Sequence, residues 1–242
     1  MLLAIDLGNT NIVLGLFRGK RLIKEWRCST RKLKIPKIRT KVKAVIVASV
    51  VPALNRKLKT GIRKQFKCNP FFVTAENIPG LRVRLKNKRE VGADRVVDAL
   101  AAFTLYKGPL VVVDFGTATT FDAISARGEY LGGAIAPGIT LARDALYEQA
   151  AKLPKIKICA PKRVIGNDTL SAMRSGLVYG YVAMVEGMVA RVSRKMGKGK
   201  RVKVIATGGL AKLICKYTKV VDKIDAKLTL KGLRMIGEKI YG

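Results

Sequence analysis

The sequence predicts an α/β chain of two similar lobes in contact. Three observations predict it. A run of strands at the start, LLAID, IVLGLF and RLIKEWRC, is matched after residue 110 by PLVVVDF and the hairpin FDAISARGEYLGGAIAP. Segments with helical spacing follow each run. The first strand of each run also ends in the same kind of turn, Asp-x-Gly followed by small hydroxyl or amide residues. These turns are AIDLGNTN at 4–11 and VVVDFGTATT at 111–120, with their Asp residues 108 positions apart. No Pro/Ser-rich linker parts the halves, so the lobes are expected at 1–107 and 108–242.

In chain order, LLAID is apolar and ends at Asp6. IVLGLF is rich in β-branched residues, and RLIKEWRC offers Ile23 and Trp26 as anchors, so the three read as an antiparallel meander. KAVIVASVV (43–51) reads as a buried strand. NRKLKTGIRKQF (55–66) places Leu58, Ile62 and Phe66 on one helical face. NPFFVTA is a further strand, and GLRVRL leads into a loop at KNKRE. VGADRVVDALAAFTLY (91–106) is a helix that turns Val96, Ala99, Leu100 and Phe103 inward. PLVVVDF is continuously apolar, as in a fully covered sheet. The next hairpin turns at Arg127-Gly128. ITLARDALYEQAAKL is a helix that runs to Pro154. DTLSAMRSGLVYGYVAMVEGMVARVSRKM is one long helix or two, capped by Asp/Thr and buried on most sides. KVIATGG is a strand ending in a Gly pair, and LTLKGLRMIGEKI is the last helix.

With 242 residues, 49% of them hydrophobic, there is enough apolar surface for a sizeable core. The longest apolar stretch, near Ala44 to Leu54, is too short to span a bilayer and is broken by Pro52. The Met1 end lacks the pattern of a signal peptide. The expectation is a soluble, cytoplasmic protein with no membrane partner. Four cysteines lie far apart without a C-x-x-C pair, which argues against disulfides and zinc. Histidine is absent, which excludes Ser-His-Asp and Cys-His catalysis and leaves acid–base work to carboxylates, Lys, Tyr or Cys. The net charge is +32 and uneven: residues 18–90 hold 23 Lys/Arg against 3 Asp/Glu, whereas residues 91–190 hold 10 against 9. Such a field attracts nucleotides, phosphates or nucleic acid, though a solvated surface alone also accounts for it.

The repeated turn handles phosphate. Glycine lets the chain fold tightly and approach a ligand. Successive turn N–H groups then point at phosphate oxygens, and Asn or Thr side chains add donors. An Asp at the strand end can hold Mg²⁺, usually through water. One such turn is common as a plain hairpin. Two in matching strand contexts are expected to clamp the phosphate chain of a nucleotide, one from each lobe.

This pattern resembles the acetate and sugar kinase, heat-shock and actin superfamily, whose phosphate-1 and phosphate-2 turns and adenosine motif it matches, the last with ATGGLA (206–211). More narrowly, DLGNTN, VGADR, DFGTATTFD, GGAIAPG, GNDTLSAMRSG and ATGGLA, in that order, resemble the type III pantothenate kinases from Leu3 to Ile240. The fold this implies is two similar lobes of the actin-like ATPase (ribonuclease H-like) type, each a mixed β-sheet with helices. The implied reaction is ATP-dependent phosphorylation of pantothenate, the first step toward coenzyme A. The resemblance also implies a homodimer, Mg²⁺ or another divalent cation, and a monovalent cation, K⁺ or NH₄⁺.

Carried over residue by residue, the resemblance makes Asp94 the general base, with a helix N-cap as its other reading. Arg95 would bind the substrate carboxylate through its planar fork, or form a surface ion pair. Gly92 would admit the substrate closely, beside Ala93. Asp6 would position Mg²⁺, with Gly8, Asn9, Thr10 and Asn11 forming the first phosphate turn. Asp114 would help to hold the metal or the γ-phosphate, or stabilise its own turn. Gly116, Thr117 and Thr119 form the second phosphate turn, and Gly208 and Gly209 the adenosine motif. Thr169 would contact pantothenate, or cap a helix. Asp122 would face the cation, or pair with a Lys.

The sequence departs from the family pattern in three ways. Residues 28–43 are short and basic where relatives carry more helix, Leu85 and Lys86 replace an aromatic and an acidic residue, and the positive charge is extreme. The charge supports a second reading, a kinase-like scaffold used as a nucleic-acid-binding or regulatory protein, with non-specific nucleic acid as its partner. Leu85 and Lys86 keep open a third, a kinase for another small hydroxylated substrate.

Overall fold

The computed structural model describes residues 1–196 and 201–242. The elements run β1 (Leu2–Leu7), β2 (Asn11–Arg18), β3 (Arg21–Ser29), β4 (Ala44–Ser49), α1 (Pro52–Phe66), β5 (Phe71–Val73), β6 (Arg82–Val83) and α2 (Ala93–Tyr106). Then follow β7 (Leu110–Phe115), β8 (Ala118–Ile124), β9 (Glu129–Pro137), α3 (Ile139–Gln149) and α4 (Thr169–Met196). The chain ends with β10 (Lys203–Thr207), α5 (Ala211–Ile214), β11 (Lys223–Ile224) and α6 (Leu228–Tyr241). Two mixed sheets with helices make this a mixed α/β fold. Among the described residues, no helix is long and apolar enough to cross a membrane. All four cysteines are free.

Two compact units result. The first comprises Met1–Tyr106, Gly128–Tyr130 and Lys227–Gly242. Its sheet has the order β3-β2-β1-β4-β5. β1 to β3 form the antiparallel meander, and β4 lies parallel to β1 with Asp6 opposite Ala48. Leu3, Ile5, Leu7, Val45 and Val47 fill its core, and α1 adds Leu58 and Ile62, one turn apart. Pro52 sits in the first turn of α1, where its missing N–H costs nothing.

The sequence placed the last helix with the second half, but α6 clusters with the first unit. The reason is two close approaches that glycine permits. A Cβ at Gly232 would lie 2.6 Å from the Val97 carbonyl on α2, and one at Gly237 would lie 2.7 Å from the Leu2 side chain. The chain leaves the first unit after Tyr106.

The second unit comprises Lys107–Arg127 and Leu131–Ala226. Its strands follow the order β11-β10-β7-β8-β9, with β7 and β8 antiparallel and β10 parallel to β7. β6 pairs with Glu129 and Tyr130 at the start of β9, residues that cluster with the first unit.

Three expectations change here. α4 is one helix of 28 residues, but it is buried along a single stripe, Met173, Leu177, Val178, Val182, Val185 and Val189, rather than on most sides. Space is open at Gly176 and Gly180. α3 stops at Gln149, short of Pro154, because it buries only Ile139 and has little packing to extend it. α5 and β11 have no sequence counterpart. They are too short to show a period.

Candidate active site

The first turn is the β1–β2 hairpin. Leu7 pairs with Ile12, so residues 8–11 make the loop. The Gly8 N–H donates to the Asn11 carbonyl at 3.0 Å. Thr30 fixes the turn from outside: its hydroxyl donates to the Gly8 carbonyl at 2.7 Å and its N–H to the Thr10 carbonyl at 3.0 Å. Asn9 and Thr10 are exposed and Asp6 is half-buried at the strand end. Asn9 and Thr10 thus sit at the exposed tip of a braced loop.

Asp94 stands near that turn. Val50 links the two: its N–H donates to the Leu7 carbonyl at 3.1 Å, and its side chain lies 3.3 Å from where a Gly92 Cβ would be. α2 begins at Ala93, so Asp94 lies inside the first turn rather than at the N-cap. A carboxylate is favourable there against the helix dipole. The Arg95 N–H donates to Asp94 Oδ1 at 2.8 Å, which orients the group. A Cβ on Gly92 would come within 2.5 Å of that same oxygen, so glycine is what leaves Asp94 its place. Ala93 is buried. The Arg95 guanidinium lies over the ring of buried Tyr130, 5.9 Å from its centroid.

The second turn lies between β7 and β8. Phe115 pairs with Thr119, leaving residues 116–118, one fewer than in the first turn. The Gly116 N–H donates to the Ala118 carbonyl at 3.1 Å. Thr117 is exposed, whereas Thr119 lies within β8 at 1% exposure. Two glycines from distant segments press on this turn. Gly208 follows Thr207, which is in register with Asp114. Its φ is +91°, and a Cβ there would fall 2.3 Å from Asp114 Oδ1 and 2.6 Å from the Phe115 backbone. The first glycine of the ATGGLA segment therefore packs on Asp114, while Gly209 is exposed with open space beside it.

Gly138 is the support that sequence reasoning missed. Its N–H donates to the Thr117 carbonyl at 3.1 Å, and a Cβ would collide with that oxygen at 2.1 Å. The segment GGAIAPG was the available signal. Tyr181 of α4 holds the preceding residue, donating to the Pro137 carbonyl at 2.7 Å. Burial pushes its phenol up, which keeps it a donor.

Asp122 is 1% exposed and accepts from the Thr120 hydroxyl at 2.9 Å. Thr169 is exposed as the first residue of α4. The cap is Asp168: the Ser171 N–H donates to its Oδ1 at 2.8 Å, and the Ser171 hydroxyl donates to its Oδ2 at 2.9 Å. The Ser171 backbone bond, then its hydroxyl, hold the Asp168 carboxyl below the usual carboxylate range.

Among the described residues, no cluster of three or more His, Cys, Asp or Glu makes a ready cage for a metal. Magnesium does not need one. It keeps several waters and takes one or two carboxylates plus substrate phosphates, and Asp6 in the first unit and Asp114 in the second are each a carboxylate of that kind, at a strand end before a turn.

Comparison with known proteins agrees with this geometry. Four curated relatives are 46–49% identical to this chain, each described as a type III pantothenate kinase. The Moorella thermoacetica relative is 47% identical over 99% of both chains. Among solved structures, a Campylobacter jejuni chain assigned to a Baf family of transcriptional activators superposes with a TM-score of 0.67 at 22% identity, covering 98% of both chains. MreB 5 of Spiroplasma citri bound to AMPPNP gives 0.53 over 99% of this chain and 96% of that one. These two likenesses concern the fold. The family model for type III pantothenate kinase matches residues 2–191, and with the near-complete curated match it establishes that the chain belongs to the type III pantothenate kinase family.

Proposed function

We propose that this chain phosphorylates pantothenate with ATP, giving 4'-phosphopantothenate, and that Asp94 is the general base. The observation that carries the assignment is the fixed Asp94 carboxylate at the start of α2, next to the β1 turn, in a chain without histidine. Asp94 accepts the proton of the pantothenate hydroxyl as its oxygen bonds to the γ-phosphorus. The bond from that phosphorus to the bridging oxygen breaks, and ADP leaves. Arg95, steadied over Tyr130, holds the substrate carboxylate. Gly92 and Ala93 line the approach, and Thr169 contacts the pantothenate chain.

Asn9, Thr10 and Asn11 donate to phosphate oxygens from the first turn, and Thr117 and Thr119 from the second, which Gly116 lets fold tightly. The burial of Thr119 makes it the inner member of its set. Gly208 and Gly209 belong to the adenosine end. Asp6 and Asp114 would hold Mg²⁺, which neutralises charge on the phosphates. K⁺ or NH₄⁺ is the proposed monovalent activator.

A homodimer in the cytoplasm is part of the proposal. The second unit exposes Ile135 (65%), Leu141 (52%) and Ile165 (86%), together with the open Gly176 and Gly180 positions of α4, and a second copy would cover them. A scaffold given over to nucleic-acid or regulatory work in place of catalysis is not favoured, since the family match spans nearly the whole chain. The test is ³¹P NMR of pantothenate incubated with ATP, Mg²⁺, K⁺ and the protein. A new phosphomonoester is expected, and ATP hydrolysis without one would count against the proposal.

A further inference from the structure

Residues 26–75 contain fourteen Lys/Arg and no Asp or Glu. All fourteen cations are exposed. Among the described residues none of them forms an ion pair; the nearest acids in sequence, Glu25 and Glu76, pair with Lys227 and Arg89. The segment at 31–43 is a strap whose Leu33, Ile35, Ile38 and Val42 turn into the core while its Lys and Arg residues turn out. It lies on α1: Ile35 packs on Gly61, and the Gln65 side-chain amide donates to the Pro36 carbonyl at 2.9 Å. The outward side of α1 is also basic, with Arg56, Lys57, Lys59, Arg63 and Lys64 exposed. Strap and helix therefore form one cationic face on the first unit. None of the functional residues assigned above lies on it.

We propose that this face binds the phosphodiester backbone of a nucleic-acid duplex, DNA or RNA, without regard to sequence. A face this densely cationic, with nothing internal to neutralise it, favours a polyanion over a single small anion. Two observations choose among polyanions. No large apolar side chain in 26–75 is exposed, so nothing is presented to insert into a bilayer. Trp26, Phe66, Phe71 and Phe72 are all at least partly buried, so no ring is presented for stacking on unpaired bases. What is left is backbone contact, which positions but does not read.

The test is fluorescence anisotropy of the full chain with short DNA and RNA duplexes of unrelated sequence. Binding at low salt is expected, similar across sequences. If about six cations meet phosphates, log K falls against log salt with a slope near −5, so affinity drops about a thousandfold from ~50 to ~200 mM salt. Reversing Lys34, Lys37, Lys57 and Lys64 to Glu should weaken binding by about tenfold or more with pantothenate turnover unchanged. Reversing Lys152, Lys157, Lys162 and Lys223 in the second unit should weaken it far less.

Equal loss in both variants would overturn the face and leave only net charge. Binding to phosphatidylserine vesicles without binding to duplexes would overturn the partner, and no binding to either would overturn the whole proposal. If a variant fails to fold, acetylation footprinting of the native protein decides. Duplex should protect the strap and α1 lysines more than Lys152 and Lys157, and uniform protection would contradict the assignment.

Discussion

Gly208 is the residue where the account is most exposed. Its φ of +91° is costly for any side chain, and a Cβ there would fall on Asp114 Oδ1. Gly208→Ala is therefore expected to destabilise the protein by about 1–3 kcal/mol in urea titration. It should also raise the KM for ATP, because relief of the clash displaces Asp114. A variant as stable and active as the native chain would show that Asp114 is not held by this contact. The pair also shows what a sequence can and cannot disclose. Asp114 was legible because a carboxylate closing a wholly apolar strand needs a reason to be there. That Gly208 rests on it was not legible, since the contact depends on the parallel pairing of β7 with β10, segments almost a hundred positions apart. Gly138 was missed although GGAIAPG marks it, because only the fold shows that the end of β9 returns against the Thr117 carbonyl. Asp94 was legible as a base only through its family resemblance. The structure sets it one residue into α2, where its carboxylate also accepts the Arg95 N–H of the first turn.

At the scale of elements, periodicity worked where packing follows it. β1 to β4, α1 and α2 appear where apolar spacing put them. β1, β2, β4 and α1 bury the face their sequence marks, whereas in β3 Trp26 packs against the core but Ile23, expected beside it as an anchor, is exposed because it lies on the other face of the strand. α3 was overextended because spacing alone says nothing about whether a partner exists for the face. At the start of α4 the cap is Asp168, not Thr169, and this has a pH signature. A folded-state carboxyl held below its ordinary value contributes stability above the unfolded pKa, and that contribution is lost as pH falls through the folded one. Asp168→Ala should thus lower stability at neutral pH, and its deficit relative to the native protein should shrink on acidification below the ordinary carboxylate range. Denaturation followed by helix circular dichroism at several pH values checks this. A deficit that stays constant into strong acid would mean that the charge of Asp168 is not what caps α4.

At the scale of the molecule, the two-lobe reading came from a repeated turn, and the structure shows two units, each with its own sheet and its own Asp-x-Gly hairpin. The hairpins differ by one residue, so the repetition is of chemistry more than of geometry. The exposed apolar residues of the second unit predict self-association. Ile165→Lys should shift the protein toward monomer in light scattering, and a native chain that is monomeric at micromolar concentration would remove the dimer. The central claim, that this is a pantothenate kinase using Asp94 as its base, is tested most directly by coupled ADP release with ATP, Mg²⁺ and K⁺, with and without pantothenate, for the native protein and Asp94→Asn. The account predicts pantothenate-dependent turnover in the native protein and a loss of about 10²–10⁴ in kcat in a variant that stays folded. Pantothenate-dependent turnover that survives the substitution would contradict the role of Asp94, and none in the folded native protein would contradict the function.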